Sequence, residues 1–400
     1  MRILSVTAQK VDSTGSGVFL TELVKGFDKL GHEQAVVCGT VREDSISLPS
    51  NVSLFPVYYT TEDLPFPICG MSDEMPYEST RYCDMTDGMT VQLRNAFREA
   101  IEAAVSAFQP DVILCHHLYY LTALVREICP GIPVYGQCHG SDLRQIRKNS
   151  WQRDWIQARI PRLDGIFALH AQQKEAICQS FGLPEDRVRV MGTGYNSDVF
   201  YLDEALKATR DDHKVRLIFA GKLSEKKGLF SLLRALRLLR HPEKYELALA
   251  GGYGNTIEYK EICQLAEMAP CPVTFLGKLS HPELARAMNA SDAFILPSFY
   301  EGLPLVLIEA MACGLKTICT DLPGIRPWLD QTIPHCGTVF VEPPRMFNED
   351  EPYPEDLPLF ELHLAQAIES VRYHPVADPA LVSHVGWQAL CQILISIWNF

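Results

Sequence analysis

The sequence lacks four features that would each place it in another class of protein. No segment reaches the roughly 18 consecutive apolar residues that a membrane helix needs. Positive charge is not in surplus, since 36 Lys and Arg stand against 49 Asp and Glu, for a net charge of −13. The 13 cysteines form no Cys-x-x-Cys pair, and there is no Asp-x-Asp motif. These absences argue against a helical membrane protein, a nonspecific nucleic-acid-binding protein, a structural zinc framework and a carboxylate pair that holds a metal.

Composition instead favours a globular protein of two domains. Apolar residues make up 47% and charged residues 21% of the 400 positions, and a chain of this length is too long for one ordinary core. The residues after Met1 predict a short strand and not a cationic stretch followed by a long apolar one, so we expect reduced thiols and a cytoplasmic location. An acidic protein can still bind a nucleoside diphosphate, because such a site needs only one or two local cations and some backbone N–H groups.

Short β-rich runs alternate with helical patterns along most of the chain. Such alternation predicts parallel sheets covered by helices on both faces. It occurs in two arrays, which predict one domain over 1–203 and a second over 204–378, with 207–214 as a linker and a final helix within 379–400. The predicted strands are 3–7, 34–38, 112–115 and 133–137, then 215–220, 246–250, 273–276, 293–296 and 316–320.

The strongest local signal follows the strand predicted at 293–296. Glu301, Gly302 and Leu303 lie in the loop between this strand and a helix. They are therefore at the carboxyl end of a strand, where open α/β sheets bind ligands, and the backbone N–H groups of Gly302 and Leu303 suit an anion. Glu309 comes eight residues after Glu301, in the helix. Its carboxylate can accept hydrogen bonds from sugar hydroxyls, or it can belong to a solvated helix face.

The string from Glu301 to Gly314, EGLPLVLIEAMACG, resembles the Glu-x7-Glu signature of the retaining glycosyltransferases of family 4. The resemblance spans nearly the whole chain, and it implies the α/β GT-B architecture. In that architecture two facing Rossmann-like domains with parallel sheets border an interdomain cleft, and the C-terminal helix crosses back onto the first domain. The other matching pieces follow in the family's order: 219–223, 225–228, 249–254, 275–279 and 321–324, with Gly31-His32-Glu33 in the first half.

The resemblance also implies roles for individual residues. Glu309 would hold the ribose hydroxyls of a nucleotide, and Glu301 would contact the transferred sugar. Lys222 and Lys227 would pair with the diphosphate, although taken alone they could be solvated surface charges. The family has Arg where this chain has Lys222, which keeps the charge and loses the planar bidentate fork. The predicted donor site is completed by Gly17, Gly221, Gly252, Leu279, Gly302 and Leu303.

A Gly-rich turn follows the first strand and opens a helix, so its backbone can approach a ligand closely. The turn is Gly15-Ser16-Gly17. It is a poor dinucleotide fingerprint, because the third glycine is missing and no acid ends the second strand at Val36-Val37-Cys38. A nicotinamide enzyme is therefore disfavoured, and we expect Gly17 to contact the donor and Gly15 and Ser16 to contact the acceptor.

His139 follows the strand predicted at 133–137 and stands before a glycine. A lone histidine can be a purely structural residue, but in the family a His at this place contacts the donor sugar, so we predict that role for His139. Asp142 either orients His139 or binds the acceptor. Cys115, His116 and His117 add metal-binding side chains nearby, yet their spacing fits no structural zinc pattern, and we expect no bound metal.

Two further segments bear on the acceptor. Pro and Gly punctuate residues 60–90, which predicts either a functional loop or a plain surface excursion, and within it Met71 and Tyr77 are candidates for the acceptor pocket. Residues 144–162 combine six Arg and Lys with Trp151 and Trp155. This pattern predicts either a peripheral contact with an anionic membrane or a solvated helix whose Trp side chains pack inward.

These observations favour a retaining glycosyltransferase that moves a hexosyl group from a nucleoside diphosphate sugar, with a UDP-sugar favoured, to a hydroxyl acceptor without a metal. Three alternatives stay open. They are a membrane-surface transferase with a lipid acceptor, a nucleotide-sugar epimerase, and a sensor that binds the sugar nucleotide without turnover.

Overall fold

The computed structural model describes residues 1–11, 13–72, 75–208, 214–348 and 350–398. The chain divides into two compact units, which we call the first unit, Met1–Thr193 with Trp387–Phe400, and the second unit, Gly194–Gly386. Most of the predicted linker 207–214 lies outside the described residues.

Two parallel sheets form the framework of the units, and helices connect their strands. The strands are β1 Arg2–Thr7, β2 Glu33–Thr40, β3 Ser53–Tyr58, β4 Ile68–Gly70, β5 Ser79–Arg81, β6 Val112–His116, β7 Val134–Gln137, β8 Gly165–Ala168, β9 Val188–Val190, β10 Val215–Ala220, β11 Tyr245–Ala250, β12 Val273–Gly277, β13 Ala293–Leu296, β14 Lys316–Thr320 and β15 Val339–Val341. The helices are α1 Gly15–Lys29, α2 Asp87–Phe108, α3 Tyr120–Ile128, α4 Ser141–Lys148, α5 Arg153–Gln157, α6 Ala171–Phe181, α7 Glu204–Ala208, α8 Leu229–Ala235, α9 Thr256–Glu267, α10 His281–Asn289, α11 Leu305–Ala312, α12 Ile325–Thr332, α13 Leu357–Ser370, α14 Pro379–Ser383 and α15 Trp387–Trp398.

The sheet of the first unit has the strand order β3-β2-β1-β6-β7-β8-β9, with every neighbouring pair parallel. Its central strands are buried on both faces, as the continuous apolar runs of parallel strands require. The strand order reverses between β1 and β6. The loops that follow these two strands therefore leave the sheet in opposite directions and open a space at its carboxyl edge, where α/β sheets bind ligands.

Helix α1 lies against the C-terminal helix α15 of the same unit. The ring of Phe19 meets Trp387 edge-on at a centroid distance of 5.0 Å, and Phe27 contacts Trp398 at 5.6 Å. A Cβ atom at Gly26 would come within 2.5 Å of the Cys391 sulfur, so the glycine lets the two helices approach closely. The predicted return of the chain's last helix to the first domain corresponds to this contact.

The boundaries between the units fall after residues 193 and 386, whereas the sequence predicts boundaries after 203 and 378. Two hydrogen bonds explain the difference. Tyr195 N–H donates to the carbonyl of Val385 (3.1 Å), and Asp203 N–H donates to the Asn289 side chain (2.8 Å). The segment 194–203 is thus part of the second unit.

The irregular region 60–90 is not a plain surface excursion, because part of it folds into the core of the first unit. Its strands β4 and β5 pair in parallel, and its large apolar side chains enter the core of the first unit. Leu64, Phe66 and Tyr82 are among those buried. Asp73 and Glu74 within this region lie outside the described residues.

The sheet of the second unit has the order β12-β11-β10-β13-β14-β15, also parallel throughout. Its order reverses between β10 and β13, which again marks the carboxyl edge as the place for a ligand. The loops after β10 and β11 touch through their backbones, because a Cβ atom at Gly251 would lie 1.7 Å from the Gly221 carbonyl oxygen. Among the residues that the structure describes, none of the helices is both long and apolar enough to cross a bilayer.

Candidate functional site

The carboxyl edge of the second sheet brings Lys227 and Glu301 together. Lys227 follows β10 and Glu301 follows β13, and Lys227 Nζ lies 2.6 Å from Glu301 Oε1. Both side chains are partly buried. An ammonium and a carboxylate so placed at a switch point offer a cation for an anionic ligand and an acceptor for hydroxyl groups.

Backbone contacts fix the two loops that carry this pair. Phe299 N–H donates to the carbonyl of Lys226 at 3.0 Å. Gly228 has a φ of 71°, and a Cβ atom there would lie 2.0 Å from the Pro297 carbonyl oxygen. A side chain at 228 would therefore separate the loops and draw Lys227 away from Glu301.

Helix α11 begins at Leu305, directly after the loop that carries Glu301, Gly302 and Leu303. Glu309 lies within this helix and is only 7% exposed. The alternative of a solvated helix face is thus excluded for Glu309. A buried carboxylate requires hydrogen-bond donors, and the hydroxyl groups of a sugar are among the groups that can supply them.

The remaining predicted donor residues of the second unit occupy the same sheet edge. Gly221 directly follows β10, and its N–H donates to the Ala250 carbonyl at 3.0 Å. Lys222 comes next and is half-buried. Gly252 follows β11 and accepts a hydrogen bond from Leu223 N–H at 2.8 Å, and Leu279 follows β12.

Two hydroxyl groups near this edge were not predicted as site residues from the sequence. Ser298, next but one after the end of β13, is fully buried, and Thr320 ends β14. Neither side-chain oxygen has a hydrogen-bond partner among the residues described. Their position at or just after the end of a predicted buried strand could have marked both residues as site candidates.

The carboxyl edge of the first sheet gathers three imidazoles. His116 ends β6, His117 follows it, and His139 follows β7. His116 Nδ1 lies 3.1 Å from His139 Nε2, and the ring centroids of His117 and His139 are 4.8 Å apart. His116 and His117 are buried, whereas His139 is partly exposed.

Burial keeps these imidazoles neutral. It lowers the pKa of His116 to about 3, with a further contribution from His117. It also lowers the pKa of His139 well below its usual range, together with His117 and His116. The pKa of His117 is lowered by burial against the opposing effect of Asp142. No group of three or more His, Cys, Asp and Glu side chains within the described ranges has the arrangement of a metal site.

Asp142 lies at the base of this cluster and is 0% exposed. Its carboxylate accepts hydrogen bonds from the backbone N–H groups of Leu118 (2.7 Å) and His139 (3.3 Å). This burial does not fit the prediction that Asp142 binds an acceptor. It fits the other prediction, that Asp142 orients His139.

The Gly-rich turn is placed as expected, at the start of α1, but its amides differ in availability. Gly17 N–H donates to Thr14 Oγ1 at 3.1 Å, as part of the helix cap. Gly17 is buried, so the prediction that it contacts the donor does not fit its position. Gly15 is exposed and Ser16 half-buried, and both remain candidates for ligand contact.

The two predicted residues of the irregular region also need correction. Met71 is 3% exposed within the core, so its side chain does not line an open pocket. Tyr77 packs against that core, and Lys10 Nζ lies 5.0 Å from its ring centroid. Of these two residues, only Tyr77 therefore remains a candidate for contact with the acceptor.

The segment 144–162 packs its Trp residues inward. The ring of Trp151 lies 5.1 Å from Tyr82, and its Nε1–H donates to Thr90 Oγ1 at 3.1 Å. The guanidinium groups of Arg94 and Arg159 lie over Trp155 at 5.1 and 4.1 Å. This packing agrees with the alternative of Trp side chains that point inward, and the peripheral membrane contact stays a prediction.

Comparison with known proteins decides the family. A model of glycosyltransferase family 4 matches residues 13–199, and a model of the group 1 glycosyl transferases matches residues 204–349. The chain belongs to glycosyltransferase family 4. The predicted fold class and family are thereby confirmed.

Curated relatives of this family 4 chain match it in part. An uncharacterized glycosyltransferase of Methanocaldococcus jannaschii is 26% identical over 246 residues, which cover 54% of the chain and 58% of that protein. The D-inositol 3-phosphate glycosyltransferase of Pseudarthrobacter chlorophenolicus is 30% identical over 170 residues, 40% of each protein. The chain thus spans about half the length of the curated relatives it matches.

Solved structures of other glycosyltransferases match the chain over its whole length. Sucrose-phosphate synthase from Thermosynechococcus elongatus matches with a TM-score of 0.72 at 18% identity. The match covers 100% of this chain and 98% of the synthase chain. Anabaena HepE in complex with UDP and glucose has a TM-score of 0.70 at 16% identity and covers 100% of both. At these identities the likeness shows the fold alone, which is that of the GT-B glycosyltransferases.

Proposed function

We propose that this family 4 chain transfers a hexosyl group from a nucleoside diphosphate sugar to a hydroxyl acceptor with retention of anomeric configuration. The observation that carries the proposal is the contact of Lys227 with Glu301 at a sheet switch point, with Glu309 buried in the helix that follows. The three side chains supply a cation for the leaving group and two carboxylates that can accept hydrogen bonds from the hydroxyls of the donor.

Lys227 stabilises the leaving group. The nucleoside diphosphate gains negative charge as the glycosidic bond breaks, and a fixed ammonium aimed at that charge lowers the barrier. Lys222 adds a second positive charge without the bidentate geometry of Arg. With two lysines and the N–H groups of Gly302 and Leu303 directed at the phosphates, the reaction can proceed without a divalent cation.

Glu301 and Glu309 hold the two sugars of the donor. Glu301 accepts hydrogen bonds from hydroxyls of the transferred hexose, and Glu309 accepts those of the ribose. Charge-assisted hydrogen bonds of this kind are about twice as strong as neutral ones. His139 contacts the transferred sugar. Its backbone N–H donates to the Asp142 carboxylate, and this hydrogen bond holds His139 in place. Gly221, Gly252 and Leu279 border the nucleotide with backbone groups.

A uridine nucleotide is the favoured donor. The fold matches Anabaena HepE, whose structure holds UDP and glucose. The acceptor is a hydroxyl compound that Gly15, Ser16 and Tyr77 help to bind.

The test is a product assay. The protein is incubated with UDP-hexoses and a panel of hydroxyl acceptors, with and without EDTA, while UDP release is measured and the product's anomeric configuration is determined by NMR. Glu309→Gln is the test variant, and Glu267→Gln, at an exposed position of α9, is the matched control.

We expect acceptor-dependent UDP release that EDTA does not change, and a product with the donor's anomeric configuration. Glu309→Gln should lose activity, whereas Glu267→Gln should keep it. UDP release with an epimerised free sugar would instead identify a nucleotide-sugar epimerase. Donor binding without turnover on any acceptor, including lipid-linked ones, would identify a sensor. Inversion of configuration would contradict the proposal.

A further inference from the structure

The hydrogen bond between His116 and His139 constrains which nitrogen of His139 carries a proton. The strands β6 and β7 are paired so that His116 lies opposite Gln137, which brings the residue two positions later within reach. His116 Nδ1 and His139 Nε2 are 3.1 Å apart, and the two rings are nearly parallel at 13°. This contact is distinct from the backbone bond that Asp142 makes to His139.

Two neutral imidazoles can share this bond in only two ways, because each has one N–H donor and one lone-pair acceptor. In the first, His116 Nδ1–H donates to His139 Nε2, so that His139 carries its own proton on Nδ1. In the second, His139 Nε2–H donates to His116 Nδ1, so that His116 must carry its proton on Nε2.

The burial of His116 separates the two arrangements. His116 is 3% exposed, and its Nε2 has no hydrogen-bond partner among the described residues. In the second arrangement this nitrogen would be a buried N–H without an acceptor, whereas in the first it is a lone pair without a donor. Orphaned buried N–H groups are rarer in native proteins than under-satisfied acceptors. The first arrangement is therefore favoured.

The surroundings hold both rings in the orientation that this bond needs. Phe19 meets His139 edge-on at 5.1 Å and His116 at 6.1 Å, and Trp387 in turn packs on Phe19. The backbone N–H of His139 is bound by the buried Asp142 carboxylate. Rotation of either imidazole would disturb this packing.

We propose that His116 is a positioning residue that fixes the tautomer of His139, so that His139 presents Nδ1–H to its ligand. The proposal rests on the proposed function, in which His139 contacts the transferred sugar. His139 then acts as a hydrogen-bond donor to a sugar oxygen, and its Nε2 is not available as a base.

The first test is the tautomer of His139 in the protein without ligand, which does not depend on any activity. Long-range ¹H–¹⁵N NMR on protein labelled at its 12 histidines distinguishes protonated from unprotonated ring nitrogens. The resonances that disappear in His139→Gln assign His139. We expect protonated Nδ1 and unprotonated Nε2 at neutral pH, and a protonated Nε2 would overturn the proposal even if no His116 variant folds.

The second test uses His116→Asn and His116→Phe. The Asn side-chain NH₂ can occupy the place of Nδ1–H and donate to His139, whereas Phe fills the space without a donor. We expect His116→Asn to retain the His139 tautomer and a donor KM within about threefold of wild type, and His116→Phe to lose the fixed tautomer and to raise the donor KM about tenfold.

The outcomes separate this proposal from the function on which it rests. An unchanged His139 tautomer in folded His116→Phe would overturn the positioning role. Equal defects in both variants, with the tautomer retained in both, would also overturn it, because a merely structural role predicts that pattern. A wild-type protein with the expected tautomer but no transferase activity would contradict the proposed function and leave the tautomer assignment standing.

Discussion

Lys227 Nζ lies 2.6 Å from Glu301 Oε1, although the two residues are 74 positions apart in the sequence. The pair joins the loops after the two strands between which the second sheet reverses its order. Glu301 balances the charge of Lys227. On the proposed function, a diphosphate would compete with Glu301 for that ammonium, and the carboxylate would become free to accept hydrogen bonds from sugar hydroxyls. That function therefore predicts that donor binding and the positioning of Glu301 are coupled through Lys227.

Replacing Lys227 by Gln removes the cation that we propose stabilises the leaving group. Loss of one fixed group that stabilises developing charge lowers kcat by about 10²- to 10³-fold, so we expect Lys227→Gln to reduce kcat by that factor and to raise the donor KM as well. Steady-state kinetics of UDP release measure both. Lys260→Gln, at an exposed position of α9, is the control and keeps wild-type kinetics. Wild-type kcat in Lys227→Gln would show that Lys227 does not stabilise the leaving group.

Gly228→Ala tests whether the loops after β10 and β13 must touch. The new Cβ atom would lie 2.0 Å from the Pro297 carbonyl oxygen, at a residue with a φ of 71°. Strain and forced backbone movement of this kind cost about 1–3 kcal/mol each. We expect a lower unfolding midpoint in urea together with reduced transferase activity. Gly252→Ala is the control for stability, since a Cβ atom there meets no atom of the described residues within 4 Å. Equal midpoints for the two variants would refute this account of the loop contact.

The contact of α1 with α15 predicts a double-mutant cycle. Gly26→Ala places a methyl group 2.5 Å from the Cys391 sulfur, and overpacking of a buried contact costs about 1–3 kcal/mol. In a Cys391→Ala background that atom is gone, and the gain in helix propensity of about 1 kcal/mol from Gly to Ala remains. We expect Gly26→Ala to destabilise the wild type and to be neutral or stabilising in the Cys391→Ala background. Urea unfolding gives both free energies, and additive effects would mean that α15 does not pack on Gly26.

The buried histidines predict loss of stability in acid. Burial lowers the pKa of His116 to about 3 and that of His170 to about 4, from values near 6.5 in the unfolded chain. Below about pH 6.5 the unfolded state therefore binds protons that the folded state does not, so stability is full above that pH and falls as the pH decreases. At about pH 5 each such histidine costs the folded state about 2 kcal/mol.

The measurement is urea unfolding as a function of pH, with His116→Asn as the comparison. The variant lacks one buried imidazole, so its stability should decline less steeply than that of the wild type between about pH 6.5 and pH 4.5. Parallel stability curves for the two proteins would show that His116 is not held neutral in the folded state.

The features that were predictable from the sequence depend on residues that are close together along the chain. The alternation of strands and helices, the loop that carries Glu301 and the helix that carries Glu309 each follow from neighbouring residues. The parallel sheets follow from that alternation, because connections of this length join parallel strands. The placement of donor-site candidates at the carboxyl edge of the second sheet follows in turn, because the carboxyl ends of parallel strands lie at one edge.

The features that the sequence did not reveal depend on contacts between distant positions. Met71 is buried because the region 60–90 folds into the core, where Gln145 donates to its carbonyl oxygen at 3.2 Å. Asp142 is inaccessible because it binds N–H groups from two different loops. The backbone N–H of Gly17 is not available to a ligand because it donates to Thr14 Oγ1, which caps the helix. The bond between His116 and His139 arises only from the register of β6 with β7.

Nucleotide binding by the carboxylate of Glu309 is the central claim, and a thermal-shift panel tests it most directly. UDP, GDP, ADP, TDP and CMP are added in turn to wild type, Glu309→Gln and the Glu267→Gln control. A ligand at about 100 times its dissociation constant stabilises the folded protein by about 2.7 kcal/mol. The account predicts that one nucleoside diphosphate, UDP, raises the melting temperature of wild type and Glu267→Gln, and that Glu309→Gln loses most of the shift. An equal shift in Glu309→Gln, or no shift of the wild type with any of the nucleotides, would contradict it.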